Sequence, residues 1–227
     1  FTYEIGDKLI HSAADRVSAS IDKTITNDLN EAIREAIYGS IIMMTELSLN
    51  VLDVAENSTR AGAKLVEISV LSEPAEDRIT IIIKDDGCGM TEEQVKSVTD
   101  PFFTTRTTRK VGLGVPFFKY AAESTGGTFT IDSTVGVGTV VTAVFGYSHI
   151  DRMPVGDMVS TMHTLITCHE EIDFLYRYRY GNKEFILDTR EFREVLGDIP
   201  FSVPDVSAYI KEYLTENTRE TDGGVIY

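Results

Sequence analysis

The stretch Asp85-Asp86-Gly87-Cys88-Gly89-Met90 combines a carboxylate pair with two glycines at the end of an apolar run. Residues 79–84 are β-branched and nearly all apolar, which predicts a strand covered on both faces. A carboxylate at the end of such a strand is held rigidly, and glycines without a Cβ let a flat ligand approach the backbone. The stretch therefore predicts either a binding loop for a planar ligand or an ordinary acidic Gly-rich turn.

Residues 46–61 predict an amphipathic helix with a polar stripe. The apolar side is formed by Leu47, Val51, Val54, Ala55 and Ser58. The stripe is formed by Glu46, Asn50, Asp53, Asn57 and Arg60, which recur at spacings of four, three, four and three residues. It places carboxylate, amide and guanidinium groups on one narrow face, which is typical either of a polar site or of a solvated helix surface.

Residues 100–114 hold three basic residues, four threonines and two glycines, so the positive charge of an acidic chain is concentrated there. This stretch runs into Gly112-Leu113-Gly114 and a predicted helix at residues 115–124. Backbone N–H groups and a helix N-terminus attract anions, while Arg and Lys neutralise them. The stretch therefore suits phosphate, with a solvated loop as the alternative.

The three stretches lie on a regular order of predicted elements. Helices are predicted at residues 46–61, 91–98 and 115–124, and strands at residues 63–71, 79–84, 129–133 and 139–145. Thr91 and Gln94 form a predicted capping box, and residues 135–138 predict a turn. This order predicts the α+β class, as a two-layer α/β sandwich with helices on one side of one sheet.

Two further segments flank this predicted domain at residues 43–148. Residues 1–42 carry apolar residues at every fourth position and predict a helical hairpin, packed on the following domain or on a second copy. Residues 149–227 predict a small α+β extension: a helix at 158–166, a hairpin at 174–187, short helices near 190–196 and 205–216, and a frayed tail from Thr218.

The composition excludes some classes of function. A net charge of -15 argues against general nucleic-acid binding, and no apolar run reaches the roughly 18 residues of a membrane span. Cys88 and Cys168 are far apart and have no metal-like spacing, so a reducing cytoplasm is expected. Aromatic and Arg residues alternate at positions 174–180, which favours a half-buried strand over a stacking platform for bases.

Taken in order, five patterns resemble the GHKL ATP-binding (Bergerat) fold of histidine kinases, anti-sigma serine kinases, gyrase B, mismatch-repair ATPases and heat-shock chaperones. They are Asp53-x-x-x-Asn57, Asp85-x-Gly87-x-Gly89, the Phe-Phe-Thr-Thr-Arg box at 102–106, Gly112-x-Gly114 and Gly136-x-Gly138-Thr139. The resemblance covers residues 45–148. With its Ser-His-Ile-Asp-Arg junction at 148–152, the chain most resembles small stand-alone bacterial ATP-binding proteins whose genes tend to lie near iron hydrogenase genes.

The resemblance implies ATP and Mg²⁺ as cofactors. Asp85 would accept the adenine N6 hydrogen bond, Thr139 would support Asp85 and a bridging water, and Asn57 would coordinate Mg²⁺. Phe102 and Phe103 would anchor a lid whose Arg106, Arg109 or Lys110 meets the β- and γ-phosphates. The implied nucleotide-binding residues are Asn57, Asp85, Gly87, Gly89, Met90, Phe102, Thr104, Thr105, Arg106, Lys110, Gly112, Leu113, Gly114 and Thr139.

Asp53 is the implied catalytic residue. In the ATPase branches of this fold, the residue four before the Mg²⁺-binding Asn is a Glu that acts as base for water. The shorter Asp reaches about one methylene less far, and a displacement near 1 Å can cost about 10²-fold in rate. Asp53 is therefore either a base for a protein hydroxyl or a weak base for water.

The resemblance favours a soluble ATP-dependent protein kinase of the anti-sigma serine kinase or histidine kinase type, with a protein partner or phosphoacceptor and a homodimer through residues 1–42. His11 lies on the first predicted helix but lacks the adjacent acidic residue and the proline of a phosphoacceptor box, so Ser or Thr on a partner fits better. The alternative is an ATP-gated binding module or weak ATPase without phosphotransfer. Neither nucleic acid nor membrane is an expected partner.

Overall fold

A computed structural model describes residues 45–99 and 114–225 of the chain. Six strands form one sheet in the order β3-β4-β2-β1-β5-β6. The strands are β1 (Leu65–Glu73), β2 (Arg78–Asp85), β3 (Thr128–Thr134), β4 (Gly138–Gly146), β5 (Asp173–Tyr180) and β6 (Lys183–Asp188). The helices are α1 (Leu47–Arg60), α2 (Glu92–Val98), α3 (Gly114–Ser124), α4 (Met158–Cys168), α5 (Thr189–Leu196) and α6 (Pro204–Asp222), and a 3-10 turn spans Pro74–Glu76.

One face of the sheet is buried and the other is partly exposed. In β2, Ile79, Ile81 and Ile83 are buried, whereas Ile82 is half-buried and Lys84 is exposed. The buried residues of the strands share one core cluster with residues of α1, α3, α4 and α6. The prediction that β2 is covered on both faces is therefore wrong, because the helices cover a single face of a mainly antiparallel sheet. The predicted α+β two-layer class is confirmed.

The strand pairing joins the C-terminal residues to the same sheet. β1 pairs antiparallel with β2 on one side and parallel with β5 on the other. β5 then pairs antiparallel with β6 through the predicted turn at Gly181 and Asn182. The predicted hairpin at 174–187 is confirmed, and its strands extend the sheet that carries Asp85.

The predicted fraying from Thr218 is wrong for the described part of that tail, because α6 continues to Asp222 and ends at Gly223, where φ is 72°. Asp222 is buried, and its Oδ2 accepts a hydrogen bond from the Tyr178 hydroxyl at 2.9 Å. Its Oδ1 accepts from the backbone N–H of Gly224 at 2.7 Å. These bonds fix the polar end of the helix on β5, which residue composition alone does not reveal.

Several predicted features lie outside the described residues. They are the hairpin at 1–42 with His11, and the lid residues Phe102, Phe103, Thr104, Thr105, Arg106, Arg109, Lys110, Gly112 and Leu113. Within the described part, the capping box is confirmed: Thr91 Oγ1 accepts from the Gln94 backbone, and the Gln94 side chain accepts from the Thr91 backbone.

Candidate functional site

The carboxylate of Asp85 is held at the end of β2 by two donors. Asp85 is 9% exposed, and its Oδ2 accepts from the Ser58 hydroxyl of α1 at 2.7 Å. Its Oδ1 accepts from the backbone N–H of Gly87 at 3.0 Å. Both oxygens are therefore oriented before any ligand arrives. The sequence analysis placed Ser58 only on the apolar side of the helix. A hydroxyl group beside the apolar Val54 and Ala55 was the one sign that this residue has a buried polar partner.

The loop after Asp85 is tied to two neighbouring segments. The Cys88 backbone donates to Ala61 O at 3.0 Å, and its carbonyl accepts from Gly136 N at 2.8 Å. Gly89 has φ of 65°, and a Cβ there would lie 2.0 Å from Thr134 O. A Cβ on Gly87 would lie 2.9 Å from the Ala61 Cβ. These two positions therefore require glycine, because Thr134 and Ala61 occupy the space that a Cβ would take.

Thr139 lies beside Asp85 in the register of β4 against β2. Its hydroxyl, however, shares a 2.8 Å hydrogen bond with Ser133, whose Oγ also accepts from the Met90 backbone N–H at 2.8 Å. Ser133 thus connects Met90 to the strand pair that carries Asp85 and Thr139. Sequence reasoning missed Ser133, because its role depends on the register of β3 against β4.

Asp86 anchors the other side of the loop to the start of β1. Its Oδ1 accepts from the backbone N–H groups of Lys64 at 2.7 Å and Leu65 at 2.9 Å. Burial acts to raise the pKa of Asp86, but the hydrogen bonds from Leu65, Lys64 and its own backbone outweigh it and lower the pKa below 3.8.

Asp86→Asn is expected to lower the free energy of unfolding by less than about 1 kcal/mol at neutral pH, because the group is exposed and screened. The folded-state pKa is depressed, so the contribution of the carboxylate is full above pH 3.8 and is lost as pH falls through the lower folded value. Urea unfolding of both proteins at several pH values measures the difference. A difference that grows on acidification would contradict the assignment.

Asp53 lies against the first residue of α3. A Cβ on Gly114 would lie 1.8 Å from Asp53 Oδ2, so this contact requires glycine. A carboxylate at a helix N-terminus is electrostatically favourable, and the same position attracts phosphate. The structure thus brings Asp53 together with the glycine that follows the predicted phosphate loop.

Asn57 lies one helical turn after Asp53 and is half-buried. Its Oδ1 accepts from Arg60 Nη1 at 2.8 Å, and Arg60 Nη2 lies 3.9 Å from Glu56 Oε2. The amide oxygen therefore already holds a cationic group, and oxygen donors are the ligands that Mg²⁺ prefers. Asn50, the stripe residue before Asp53, is instead fully buried and donates to Glu46 O at 3.2 Å, so the stripe is not a single exposed face.

Comparison with known proteins shows which protein family this part of the chain resembles. Residues 41–148 match the model of the "Histidine kinase-, DNA gyrase B-, and HSP90-like ATPase" family. Residues 41–148 are therefore similar to the ATPase domains of this family. The predicted resemblance to the GHKL family is thereby confirmed, whereas the closer resemblance to stand-alone proteins near iron hydrogenase genes stays a prediction.

Two curated proteins that match this part of the chain are sensor kinases by name. The sensor histidine kinase YvrG of Bacillus subtilis is 30% identical over 93 residues, which are 39% of this chain and 16% of that protein. A sensor protein kinase WalK of Staphylococcus aureus is 34% identical over 103 residues, 43% of this chain and 25% of that protein. The chain thus corresponds to a minor part of the relatives that it matches.

Among solved structures, the Aquifex aeolicus MutL ATPase domain complexed with ADP superposes with a TM-score of 0.38 at 15% identity, covering 76% of this chain and 68% of that one. Among residues 45–99 and 114–225, none of the helices is long and apolar enough to span a membrane.

Residues beyond the matched range 41–148 contact α1 at two points. The backbone N–H groups of Leu47 and Ser48 donate to the carbonyls of Pro154 and Val155, each at 2.9 Å. Farther along α1, Glu56 Oε1 lies 2.8 Å from His169 Nε2 at the end of α4. The helix that carries Asp53, Asn57 and Ser58 is thus fixed by residues outside the ATPase domain.

Proposed function

We propose that this chain is a Mg²⁺-ATP-dependent protein kinase that phosphorylates a hydroxyl group of a partner protein. The observation that carries the proposal is that one helix, α1, contacts both ends of the site. Ser58 binds the Asp85 carboxylate at one end, and Asp53 abuts Gly114 at the other. A rigid helix between a base-recognition carboxylate and a phosphate-binding helix N-terminus is suited to hold a nucleoside triphosphate along its length.

In this proposal, Asp85 selects adenine. An ionised carboxylate accepts but cannot donate, so it suits the adenine N6 amino group and opposes a ligand that presents an oxygen there. Gly87 and Gly89 let the loop pack closely on Ala61 and Thr134 beside the purine, and Thr139 with Ser133 keeps the neighbouring strand end in place. The orientation of Asp85 by Ser58 and Gly87 lowers the cost of binding, because the carboxylate is already arranged.

The phosphates would lie toward the start of α3. Asn57 would supply an amide oxygen to Mg²⁺, with Arg60 moving away from that oxygen. Mg²⁺ held there would supply positive charge that offsets the negative charge of the phosphates. The predicted lid residues Arg106, Lys110 and Gly112 would complete the phosphate contacts.

In the proposed reaction, the acceptor hydroxyl oxygen attacks the γ-phosphorus of ATP. The bond from the γ-phosphorus to the bridging oxygen breaks, and that oxygen leaves as part of ADP. Asp53, at the phosphate end of α1, takes the proton of the hydroxyl group. A carboxylate base suits this reaction, because phosphoryl transfer depends mainly on positioning and charge stabilisation.

Incubation of the full chain with γ-labelled ATP, Mg²⁺ and candidate partner proteins tests the proposal. Label on a partner that is lost in Asp53→Asn, with ATP affinity within about threefold of the original, supports a protein kinase with Asp53 as base. Release of free phosphate alone indicates an ATPase. Tight ATP binding without either product contradicts the kinase assignment and leaves a nucleotide-gated module.

Asn57→Ala is expected to reduce label transfer at least about 100-fold and to raise the Mg²⁺ concentration needed for half-maximal transfer, because the amide oxygen is lost. Arg60→Ala is the matched control one turn away: it frees Asn57 Oδ1 and is expected to keep the Mg²⁺ dependence. Full Mg²⁺-dependent transfer by Asn57→Ala would rule out this residue as a metal ligand.

A second candidate function, the ATP-gated binding module, is favoured by the contacts of α1 with the extension. The Glu56 to His169 contact and the backbone bonds to Pro154 and Val155 connect the nucleotide helix to residues outside the ATPase domain. Nucleotide binding that shifts α1 would reach the extension directly. We further propose that the protein acts in the bacterial cytoplasm, where the free thiols of Cys88 and Cys168 stay reduced, as a homodimer through residues 1–42.

A further inference from the structure

An apolar groove lies between α5 and α6, away from the nucleotide site. It has a volume of about 390 Å³ and is lined by Phe192, Val195 and Leu196 of α5 and by Val206, Tyr209 and Ile210 of α6. Val195 is 85% exposed and Tyr209 is 56% exposed, so large apolar side chains are left in water at its mouth. Adjacent exposed apolar groups of this kind mark an interaction surface.

The groove has a packed floor. The ring of Phe192 meets that of Tyr213 edge to face, with centroids 5.7 Å apart, and that of Tyr209 at 6.3 Å. Ile210 is fully buried beneath them. The aromatic contacts hold the two helices at a fixed separation, so the groove exists before a partner binds.

The rim of the groove is acidic on both helices. Glu191 and Asp198 lie four residues before and three residues after Val195, and Asp205 and Glu212 stand in the same relation to Tyr209. Glu191 shares a helix face with Val195, and Asp205 and Glu212 share one with Tyr209, whereas Asp198 lies just after the end of α5. All four carboxylate residues are exposed.

The basic side chains near the groove bind other residues or face away from the acidic rim. Arg193 is bound to Asp173 at 2.8 Å and lies over the Phe201 ring at 4.6 Å, and Arg190 is paired with Asp188 at 2.6 Å. Lys211 follows Tyr209 by two residues, about 200° around the helix, and therefore faces away from the groove. The negative charge of the rim is thus not neutralised by these side chains.

We propose that this groove binds a basic amphipathic helix of a partner protein. Apolar side chains at positions i, i+3 or i+4, and i+7 would enter between Val195 and Tyr209, while Lys or Arg on the flanks would meet the four carboxylates of the rim. A second copy of this chain seated on the groove would bring the same carboxylates together, and their repulsion opposes that contact. The proposal does not rest on the kinase assignment.

The test uses the full chain and a labelled helical probe peptide with leucines at i, i+3, i+4 and i+7 and lysines elsewhere. A matched peptide carries glutamates in place of the lysines. Fluorescence anisotropy is expected to show binding of the lysine peptide and at least about 10-fold weaker binding of the glutamate peptide. Equal affinity for the two peptides would overturn the proposal.

Two variants separate the groove from diffuse attraction by an acidic protein. Val195→Ser with Tyr209→Ser, and Asp205→Asn with Glu212→Gln, are each expected to weaken binding of the lysine peptide at least about 10-fold. The matched control, Glu92→Gln with Glu93→Gln on α2, removes two exposed carboxylates elsewhere and is expected to leave affinity within about twofold. Equal weakening by the control and the rim variant overturns the proposal.

Two further measurements identify where the peptide binds and whether a second copy of the chain occupies the groove. Amide NMR shifts on addition of the lysine peptide are expected to move in α5 and α6, and changes confined to other elements overturn the assignment. Sedimentation is expected to show the same oligomeric state for the original chain and for Val195→Ser with Tyr209→Ser. A dimer that those substitutions dissociate would assign the groove to a second copy instead.

Discussion

Asp85→Asn is expected to raise the dissociation constant for Mg²⁺-ATP about 100-fold, equivalent to a loss of about 2.7 kcal/mol. The Asp85 carboxylate accepts from Ser58 at one oxygen and from the Gly87 backbone at the other. An Asn amide has a single oxygen, so one of these donors or the adenine amino group loses its acceptor. The measurement is calorimetric titration of both proteins with ATP.

Asp86→Asn is the matched control for this substitution. It makes the same chemical change one residue away, on a carboxylate that binds the backbone of Lys64 and Leu65 instead. Its ATP affinity is expected to stay within about threefold of the original protein. Equal losses in the two variants would indicate a general disturbance of the loop and would contradict the adenine role of Asp85.

Gly114→Ala is expected to slow phosphotransfer at least about 100-fold and to weaken ATP binding about 10-fold. The new methyl group would lie 1.8 Å from Asp53 Oδ2, so either Asp53 or the start of α3 must move. A displacement of about 1 Å in a phosphoryl-transfer site has an effect of this size. Label transfer from γ-labelled ATP and titration with ATP measure the two quantities.

The Asp53→Ala background tests whether the loss of ATP affinity in Gly114→Ala comes from the clash with the Asp53 carboxylate. With the carboxylate removed, the nearest remaining atom is the Cβ of residue 53 at 3.0 Å, which needs only a small shift. Gly114→Ala in the Asp53→Ala background is therefore expected to change ATP affinity less than about threefold. A loss of the same size in both backgrounds would show that the contact with Asp53 is not the reason for glycine at this position.

The sequence was sufficient to predict the parts of the site that depend on local pattern. The β-branched run before Asp85 predicts a strand, the spacing of Asp53 and Asn57 predicts one helix, and the fixed order of the glycines predicts the family. Each of these signals lies within a few residues, so no knowledge of the packed chain is needed to interpret it.

The remaining features depend on contacts between distant segments. The hydrogen bond from Ser58 to Asp85 requires the packing of α1 on β2, and the role of Ser133 requires the register of β3 with β4. The parallel pairing of β1 with β5 joins segments about a hundred residues apart. Asp222 is similar, because its partner Tyr178 lies on another element and only the packed chain shows that the end of α6 is ordered.

Titration of the unaltered chain with ATP and with GTP, each with Mg²⁺, tests the central claim most directly. A carboxylate acceptor at the end of β2 favours an amino group over a carbonyl oxygen at the purine position that it meets. The expected result is at least about 10-fold tighter binding of ATP. Equal binding of the two nucleotides, or no binding of ATP, would contradict the assignment of Asp85 and the nucleotide site built around it.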